Sequence, residues 1–526
     1  MRTPSSTFVA ENLQTHMLGT TSPANFINGM GPKTRLPPKK KGKQSQKNSP
    51  ESADDFQAAA DAEEETGGKW RAGDKAKSCR AFLRAIELYD RGLGRHPRNF
   101  DLAYNKARLE FEVSQQANLV AKLPTPSHEF LEQAFKSHRY ALSLNEENTD
   151  ILFNTSQILV ARAELIEEES DSESFDPLLP ADWLREALEL LDACYTRQEM
   201  LFEEQNQAWN DREEDGGVSL SSNPRSATPS SATSAISEQS AIVQNAVTAQ
   251  DLLDTASASL SALTRLVSLD ANGAQTIASL AEVLLTTKIP FCISQLPPED
   301  QGASREEAAL AQALFTAALA DVEFTQQRIT KDTYLQRLAI FESLNLQSTE
   351  VQCDYADTMV TFATSILPSD PQKAEPETLA ALQKAIALYQ AASSTLRKPS
   401  SGKRDADGAL SLSLTPKIDT EQEQRLASAL EASADAQLLA DRVTGSDHIL
   451  QQIPQTYKEA EASYFKAGDD ISAAKASIKT LISSHLNHDK RALAKELAKR
   501  GPLARKVLRS MIDEQVLGME WKELIA

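Results

Sequence analysis

Apolar residues recur at helical spacing through most of the chain, with polar stretches between them. From about Ser52 to Gln207, and again from Ala241 to the C-terminus, they fall at positions i, i+3 and i+4 of amphipathic helices. The chain shows neither alternating strand and helix patterns nor Asn-Gly hairpin turns between period-2 runs. The pattern predicts an all-α protein.

The polar stretches divide the chain into six segments. Those rich in Ser, Thr, Pro and Lys bury too little apolar surface to offset the entropy of ordering. We therefore predict a disordered basic N-terminal tail at 1–52, helical repeats at 53–208, an acidic and Ser/Thr-rich linker at 209–240, a helical region that continues the solenoid at 241–397, a disordered loop at 398–419 and a C-terminal helical region at 420–526. We also expect a helix break at Ile289-Pro290, because proline lacks a backbone N–H.

An internal echo repeats after 49 residues, since His96–Asn105 matches Asn145–Asn154 in its asparagines, aspartate, apolar residue and aromatic. Before each of the two copies, and again near residue 190, small and bulky residues recur at relative positions 0, +4 and +7. The three sets are Ala85, Tyr89 and Gly92, then Ala134, His138 and Ala141, then Ala187, Leu191 and Cys194. A small residue lets two helices approach, and a bulky one four places later fills the gap, so the spacing predicts packed antiparallel helices.

This spacing resembles the tetratricopeptide repeat, whose second helix carries A-x3-F and then a proline. Gly73, three residues after Trp70, stands where the first helix of the family carries its glycine. The resemblance covers about residues 55–205, with a weaker echo near 350–395 at Ala385, Tyr389 and Ala392. It implies an α–α superhelix. The residues expected to pack repeat against repeat are Gly73, Ala85, Tyr89, Gly92, Pro97, Ala134, Ala141, Ala187 and Leu191.

The resemblance also implies a groove that receives a segment of another protein. The candidate groove residues are Tyr104, Asn105, Phe153 and Asn154, although the two amides could instead hydrogen-bond within or between helices. We do not expect the family's clamp for C-terminal carboxylates. Trp70 and Asp74 stand where that clamp has a lysine and an asparagine, and Asp74 would repel a carboxylate.

Two charged segments are candidate contacts for a partner. The acidic stretch of Glu167, Glu168, Glu169, Asp171 and Glu173 would attract a basic client, or it is only a solvated loop. A basic cluster in the tail is a candidate nuclear-import signal or nucleic-acid contact, or it is only a solubilising terminus. Its members are Lys33, Arg35, Lys39, Lys40, Lys41, Lys43 and Lys47.

Composition narrows the class of function. The formal charge of −20 repels phosphates, so we expect no nucleic-acid binding outside the basic tail. The four cysteines lie far apart, which predicts neither disulfides nor a zinc site and favours the cytoplasm, the nucleus or both. No run of about eighteen apolar residues occurs, so no membrane span is expected.

No catalytic motif is present: the chain lacks GxxxxGK[ST], HExxH and GxSxG, and a GxGxxG following a strand. We expect no catalytic, cofactor or metal site. The sequence predicts a non-catalytic scaffold or adaptor that binds a protein of unknown identity through a groove. The alternative is an acidic escort chaperone for basic clients such as histones or ribosomal proteins.

Overall fold

A computed structural model describes most of the region expected to be helical. The described residues are 50–71, 73–169, 176–214, 246–398, 419–445, 452–486 and 490–524. The expected disorder of the tail, of most of the linker and of the loop at 398–419 falls outside the described residues.

The described residues form helices joined by short connections, and no strand occurs in these parts of the chain. The helices are Ala53–Trp70 (α1), Lys75–Arg95 (α2), Phe100–Ser114 (α3), Ala117–Val120 (α4), Ser127–Leu144 (α5), Thr149–Glu169 (α6), Leu178–Glu214 (α7), Ala249–Leu269 (α8), Ala274–Val283 (α9), Ile289–Gln295 (α10), Gln301–Thr325 (α11), Lys331–Leu338 (α12), Thr349–Ser365 (α13), Pro376–Leu396 (α14), Thr420–Thr444 (α15), Ile453–Ala467 (α16), Asp470–Ser484 (α17), Lys490–Lys499 (α18) and Pro502–Asp513 (α19). The predicted all-α class is confirmed.

Each long helix packs mainly on its neighbours along the chain, which produces two layers. We call α1, α3, α6, α8, α11, α13, α15 and α17 the inner helices. Contacts join α1 to α3, α3 to α6, α8 to α11 and α11 to α13. Among the long helices of the other layer that the structure describes, α2 and α5, α5 and α7, and α14 and α16 make no comparable contacts. Because the layer on the concave side of a curved stack is the more crowded, the inner helices line the concave face.

A side-chain hydrogen bond joins the first helix pair to the turn after α16. Lys75, the first residue of α2, donates a hydrogen bond from Nζ to the carbonyl of Gly468, at a distance of 2.8 Å. Gly468 ends α16 in the left-handed conformation with φ of 75°, which glycine adopts at little cost. The described helices form a helical-repeat superhelix, and this contact joins its first helix pair to the turn between α16 and α17.

The two copies of the echo, residues 96–105 and 145–154, each contain the start of an inner helix, α3 and α6 respectively. The side chain of Asn99 accepts a hydrogen bond from the amide of Leu102 at 2.9 Å, and that of Asn148 accepts one from the amide of Ile151 at 3.0 Å. Each asparagine is therefore an N-cap, which pairs a helix amide that would otherwise lack a partner.

The expected break at Ile289-Pro290 was wrong. A π-helical turn at Leu284–Lys288 joins α9 directly to α10, and the amide of Ile289 donates to the carbonyl of Leu284. This wider turn, with hydrogen bonds five residues apart, accommodates the proline without ending the helix.

The expected start of the linker at residue 209 was also wrong, because α7 continues to Glu214. Gln and Glu dominate the last turns of α7 and are good helix formers. A helix that is already nucleated extends through such residues.

Two helical segments, Ala271–Gln295 and Gln301–Thr325, are long and apolar enough to cross a membrane by length and composition. The second contributes Phe315, Ala318 and Val322 to the buried core, as the central helix of a soluble protein also does. Length and composition alone do not separate these cases, so the expected absence of a membrane span stays a prediction.

Candidate binding groove

The small and bulky residues of the outer helices lie in the core. Tyr89 is fully buried on α2, and its hydroxyl donates to Glu64 of α1 at 2.7 Å. The other predicted packing residues that are buried in helices are Ala85, Gly92, Ala134, Ala141, Ala187 and Leu191. Pro97 lies exposed in the turn after α2, which has ended at Arg95.

Gly73 is a correction, since it does not lie in the first helix or pack against a repeat. It lies exposed between α1 and α2, and a Cβ atom there would meet nothing within 4 Å. Gly67 is the packing glycine of α1, because a Cβ atom at that position would lie 2.6 Å from the ring of Phe82. Gly67 is buried in the last turn of α1, one helical turn before the end that Trp70 marks.

The predicted groove amides bind neighbouring inner helices. Asn154 of α6 donates from Nδ2 to the hydroxyl of Tyr104 on α3 at 3.3 Å. Asn105 of α3 donates to the side chain of Gln57 on α1 at 3.2 Å. Burial, followed by the charge of Asp150, raises the pKa of Tyr104 to about 12. These bonds connect inner helices, and Phe153 is half-buried beside Asn154.

The acidic stretch at 167–173 also needs a correction. Glu167 is buried in the last turn of α6 and forms an ion pair with Arg265 of α8 at 3.2 Å. A carboxylate in that position holds two helices together and is not presented to a client. The side chains of Glu168 and Glu169, and residues Asp171 and Glu173, lie outside the described residues.

The structure brings together four carboxylates that the sequence did not single out. We call Asp150, Asp254, Glu307 and Glu350 the acidic row. They lie in the first two turns of α6, α8, α11 and α13, four successive inner helices. Glu307 repels Asp254 and Glu350 repels Glu307 across these helices, whereas the charge that acts on Asp150 is Asp251 of α8. Within the part of the chain that the structure describes, no cation lies within 4 Å of any of the four carboxylates, although the charge of Arg425 acts on Glu350 and partly offsets the rise that burial causes in its pKa.

Solvent reaches the acidic row although protein surrounds it. Asp150 and Glu307 are exposed, and Asp254 and Glu350 are partly exposed. Nevertheless burial is the largest cause that raises the pKa of each, and for Asp254, with Asp251 and Glu307 adding repulsion, the pKa rises to about 6. A concave surface explains both facts, because it admits solvent to a side chain while its walls displace bulk water.

The sequence contains only a weak signal from which the acidic row could be predicted. Each member follows the start of a helix, where the helix dipole favours acids in any protein. These four acids stand out from other acids near helix starts only because alternate helices lie on the same face of the stack. That arrangement depends on how the helices pack, so sequence spacing did not reveal it.

Among residues 50–524 that the structure describes, no group of His, Cys, Asp and Glu could hold a metal ion. The thiols of Cys79, Cys194 and Cys292 are buried, and Cys353 is half-buried. Burial raises the pKa of each of the four thiols, so their environment favours the unreactive protonated form.

Comparison with known proteins gives a short match. No family model matches the chain. UPF0656 protein C926.02 of Schizosaccharomyces pombe is 36% identical over 110 residues, which are 21% of this chain and 24% of that relative. The match thus spans about a quarter of the relative's length.

A solved structure described as a circular tandem repeat protein with novel repeat topology and enhanced subunit contact surfaces is similar over 90% of this chain and 98% of its own. Its TM-score is 0.26 at 13% identity, which is too low to carry an argument about topology.

Proposed function

We propose that this protein is a non-catalytic scaffold that holds an extended segment of a partner protein along its concave face. The acidic row is the observation that carries this proposal. Partly desolvated carboxylates without an ion pair, such as Asp254 and Glu307, which also repel one another, gain free energy when a cationic side chain comes close. A repeat superhelix offers such a surface over several successive helices, which suits an extended ligand.

We further propose that the helix pairs are of the tetratricopeptide type. The spacing of Ala85, Tyr89 and Gly92, all buried in an outer helix, supports this assignment. The same spacing recurs in Ala385, Tyr389 and Ala392 of α14, which are buried as well. The exposed position of Gly73 departs from the family's pattern.

The second candidate function is the escort of basic clients such as histones or ribosomal proteins. The acidic row favours it, because such clients are rich in the cations that the row lacks. We place the protein in the cytoplasm or nucleus, where reduced thiols are normal. In both candidates the contact is to protein, with neither a membrane nor a cofactor.

The test is affinity purification with the full chain and two matched variants. The row variant carries Asp150→Asn, Asp254→Asn, Glu307→Gln and Glu350→Gln. The control variant neutralises exposed acids of α2 and α7 through Glu87→Gln, Glu189→Gln, Glu203→Gln and Glu204→Gln.

The native chain and the control should retain the same partners, and the row variant should lose them. Equal recovery by all three proteins would show that the concave face is not the binding surface. The predicted isoelectric point of the lost partners separates the two candidates, because an escort loses basic proteins only.

A further inference from the structure

A small cavity lies where the turn that follows α19 meets two inner helices. Its walls come from α13, from α15 and from that turn, and the volume of the cavity is about 10 Å³. Such a volume is room for one water molecule or one small ion. The four polar residues in the walls, each no more than 9% exposed, are Thr361, Thr364, Asp435 and Glu514. None of them belongs to the acidic row.

One carboxylate oxygen in these walls has no hydrogen-bond partner. Oε1 of Glu514 accepts a hydrogen bond from the Ser510 hydroxyl at 2.5 Å, whereas Oε2 is buried and accepts none from the residues that the structure describes. The next residue, Gln515, has a left-handed backbone with φ of 60°, and its carbonyl accepts a hydrogen bond from Arg442 of α15. The backbone is therefore held in place beside a buried oxygen that lacks a partner. Such an oxygen is unfavourable unless a donor or a cation pairs with it.

The two threonine hydroxyls in the walls have already used their hydrogens. The hydroxyl of Thr361 donates to the carbonyl of Asp357 at 3.0 Å, and that of Thr364 donates to the carbonyl of Thr361 at 2.8 Å. Each hydroxyl oxygen keeps lone pairs, because a hydroxyl has one hydrogen and two acceptor positions. The polar part of the walls therefore consists of carboxylate and hydroxyl oxygens, which are the ligands that hard cations prefer.

Negative charge exceeds positive charge around the cavity. The buried Lys479 of α17 pairs with Asp435 and with Glu431, each at 2.8 Å. The exposed Lys475 also acts on Glu431. Glu514 is a third carboxylate, and no cation of the described residues lies within 4 Å of it. Burial raises the pKa of Asp435, and the charges of Glu431 and Glu514 raise it further. Two ammonium groups thus face three carboxylates, which leaves one negative charge unbalanced.

We propose that this cavity binds one monovalent cation, K⁺ or Na⁺, which is held by the carboxylates of Glu514 and Asp435 and by the hydroxyls of Thr361 and Thr364. A single positive charge balances the excess, whereas one water molecule would leave it in place. Calcium and magnesium favour sites richer in carboxylates, and the described residues contain no group of three or more His, Cys, Asp and Glu that could hold a metal ion. The cation joins the C-terminal turn to α13 and α15.

The test measures amide hydrogen exchange of the full-length protein in the chlorides of K⁺, Na⁺ and choline at equal ionic strength. The choline cation is much larger than one water molecule, so it cannot enter a cavity of about 10 Å³ and serves as the blank. The amides of Leu517 and Trp521, which donate to the carbonyls of Met511 and Gly518, report on the turn.

We expect exchange of these two amides to slow about ten-fold in the K⁺ or the Na⁺ salt relative to choline. A cation at about 100 mM with a dissociation constant of about 10 mM stabilises the closed turn by that factor. The salt that gives the larger effect identifies the ion. Separate samples receive calcium or magnesium chloride, with and without EDTA.

Three full-length variants locate the effect. Glu514→Gln and Thr361→Val should each remove the difference between the metal salts and choline. Glu523→Gln changes an exposed acid of the same C-terminal segment and should retain the difference. Thr361→Val removes one ligand oxygen without changing a charge, so it tests the site even if Glu514→Gln disturbs the fold.

Equal exchange of the native protein in all three salts would overturn the proposal, because a water molecule would then account for the cavity. A difference that persists in both Glu514→Gln and Thr361→Val would also overturn it, since the cation would act elsewhere. Slowing that needs calcium or magnesium and that EDTA reverses would contradict a monovalent ion. These outcomes are independent of the acidic row, whose test is the recovery of partner proteins.

Discussion

At the scale of single residues, the two glycines at the end of α1 have different roles. We expect Gly67→Ala to destabilise the protein by about 1–3 kcal/mol, because the new methyl group would lie 2.6 Å from the buried ring of Phe82. Gly73→Ala should change stability by less than about 0.5 kcal/mol, because its position is open. Chemical denaturation of both variants measures the difference, and equal losses would contradict the assignment of Gly67 as the packing glycine.

Asp254 should make stability fall as pH rises. Its pKa in the folded protein, about 6, lies above its ordinary value of 3.8, so between those values the folded state binds more protons than the unfolded state. The destabilising contribution of the ionised Asp254 to folding is absent below about pH 4. It grows as the pH rises through this window and is complete above about pH 6.

Replacement of Asp254 by Asn should therefore stabilise the protein near pH 7.5 by about 1 kcal/mol, a figure reduced for its contact with solvent. The gain should disappear near pH 4, as thermal unfolding at several pH values would show. Asp270, which pairs with Arg185 at 2.9 Å, is the matched control, and its replacement by Asn should not stabilise. A gain for Asp254→Asn that does not depend on pH would contradict the raised pKa.

At the scale of elements, a tyrosine hydroxyl repeatedly joins an outer helix to the inner helix before it. Tyr89 donates to Glu64, Tyr389 to Asp357 and Tyr464 to Glu431. Each tyrosine follows a buried alanine by four residues, and the third set, Ala460, Tyr464 and Ala467, was not recognised in the sequence. The buried alanine therefore positions the tyrosine ring, and the carboxylate accepts a hydrogen bond from the tyrosine hydroxyl.

Removal of one such hydroxyl should leave a buried carboxylate short of a donor. We expect Tyr389→Phe to destabilise the protein by about 1–3 kcal/mol in denaturant unfolding. Tyr140 is the control, because its half-exposed hydroxyl donates to the carbonyl of Pro97, where water can replace it. Tyr140→Phe should cost about 0.5 kcal/mol or less. Equal losses of stability in the two variants would mean that the hydrogen bond to the carboxylate of Asp357 adds no stability beyond the packing of the Tyr389 ring.

At the scale of the whole molecule, the contact between Lys75 and Gly468 joins the first helix pair to the turn between α16 and α17. Its loss through Lys75→Ala should speed amide hydrogen exchange in the α16–α17 turn by about five-fold, which corresponds to about 1 kcal/mol of local stability. Lys77→Ala is the control, since the Lys77 ammonium lies 3.2 Å from the centre of the Trp70 ring, close to its own helix. Unchanged exchange in the Lys75 variant would mean that this contact does not form in solution.

The concave shape of the inner layer explains why the acidic row is both exposed to water and poorly solvated. In a flat stack of helices, Asp150 and Glu307 would face bulk water. Bulk water would screen the repulsion that each of these two carboxylates feels from neighbouring acids. Curvature surrounds them with protein. The charge pattern of the concave face is therefore a property of the superhelix rather than of any one helix.

Local information in the sequence determined the helical class and the buried positions of Ala85, Tyr89 and Ala134. These features depend on residue spacing within one helix or one turn, such as the caps Asn99 and Asn148, so neighbours along the chain suffice to predict them.

The tertiary structure alone decided which acids share a face and which glycine meets a partner. Glu167 belongs to an acidic run in the sequence, yet packing places it against Arg265. Asp150 and Glu350 are 200 residues apart, yet curvature places them in one row. The reason is physical: long-range contact depends on how helix faces nest and on the angle between successive pairs, and residue spacing along one helix does not encode that angle.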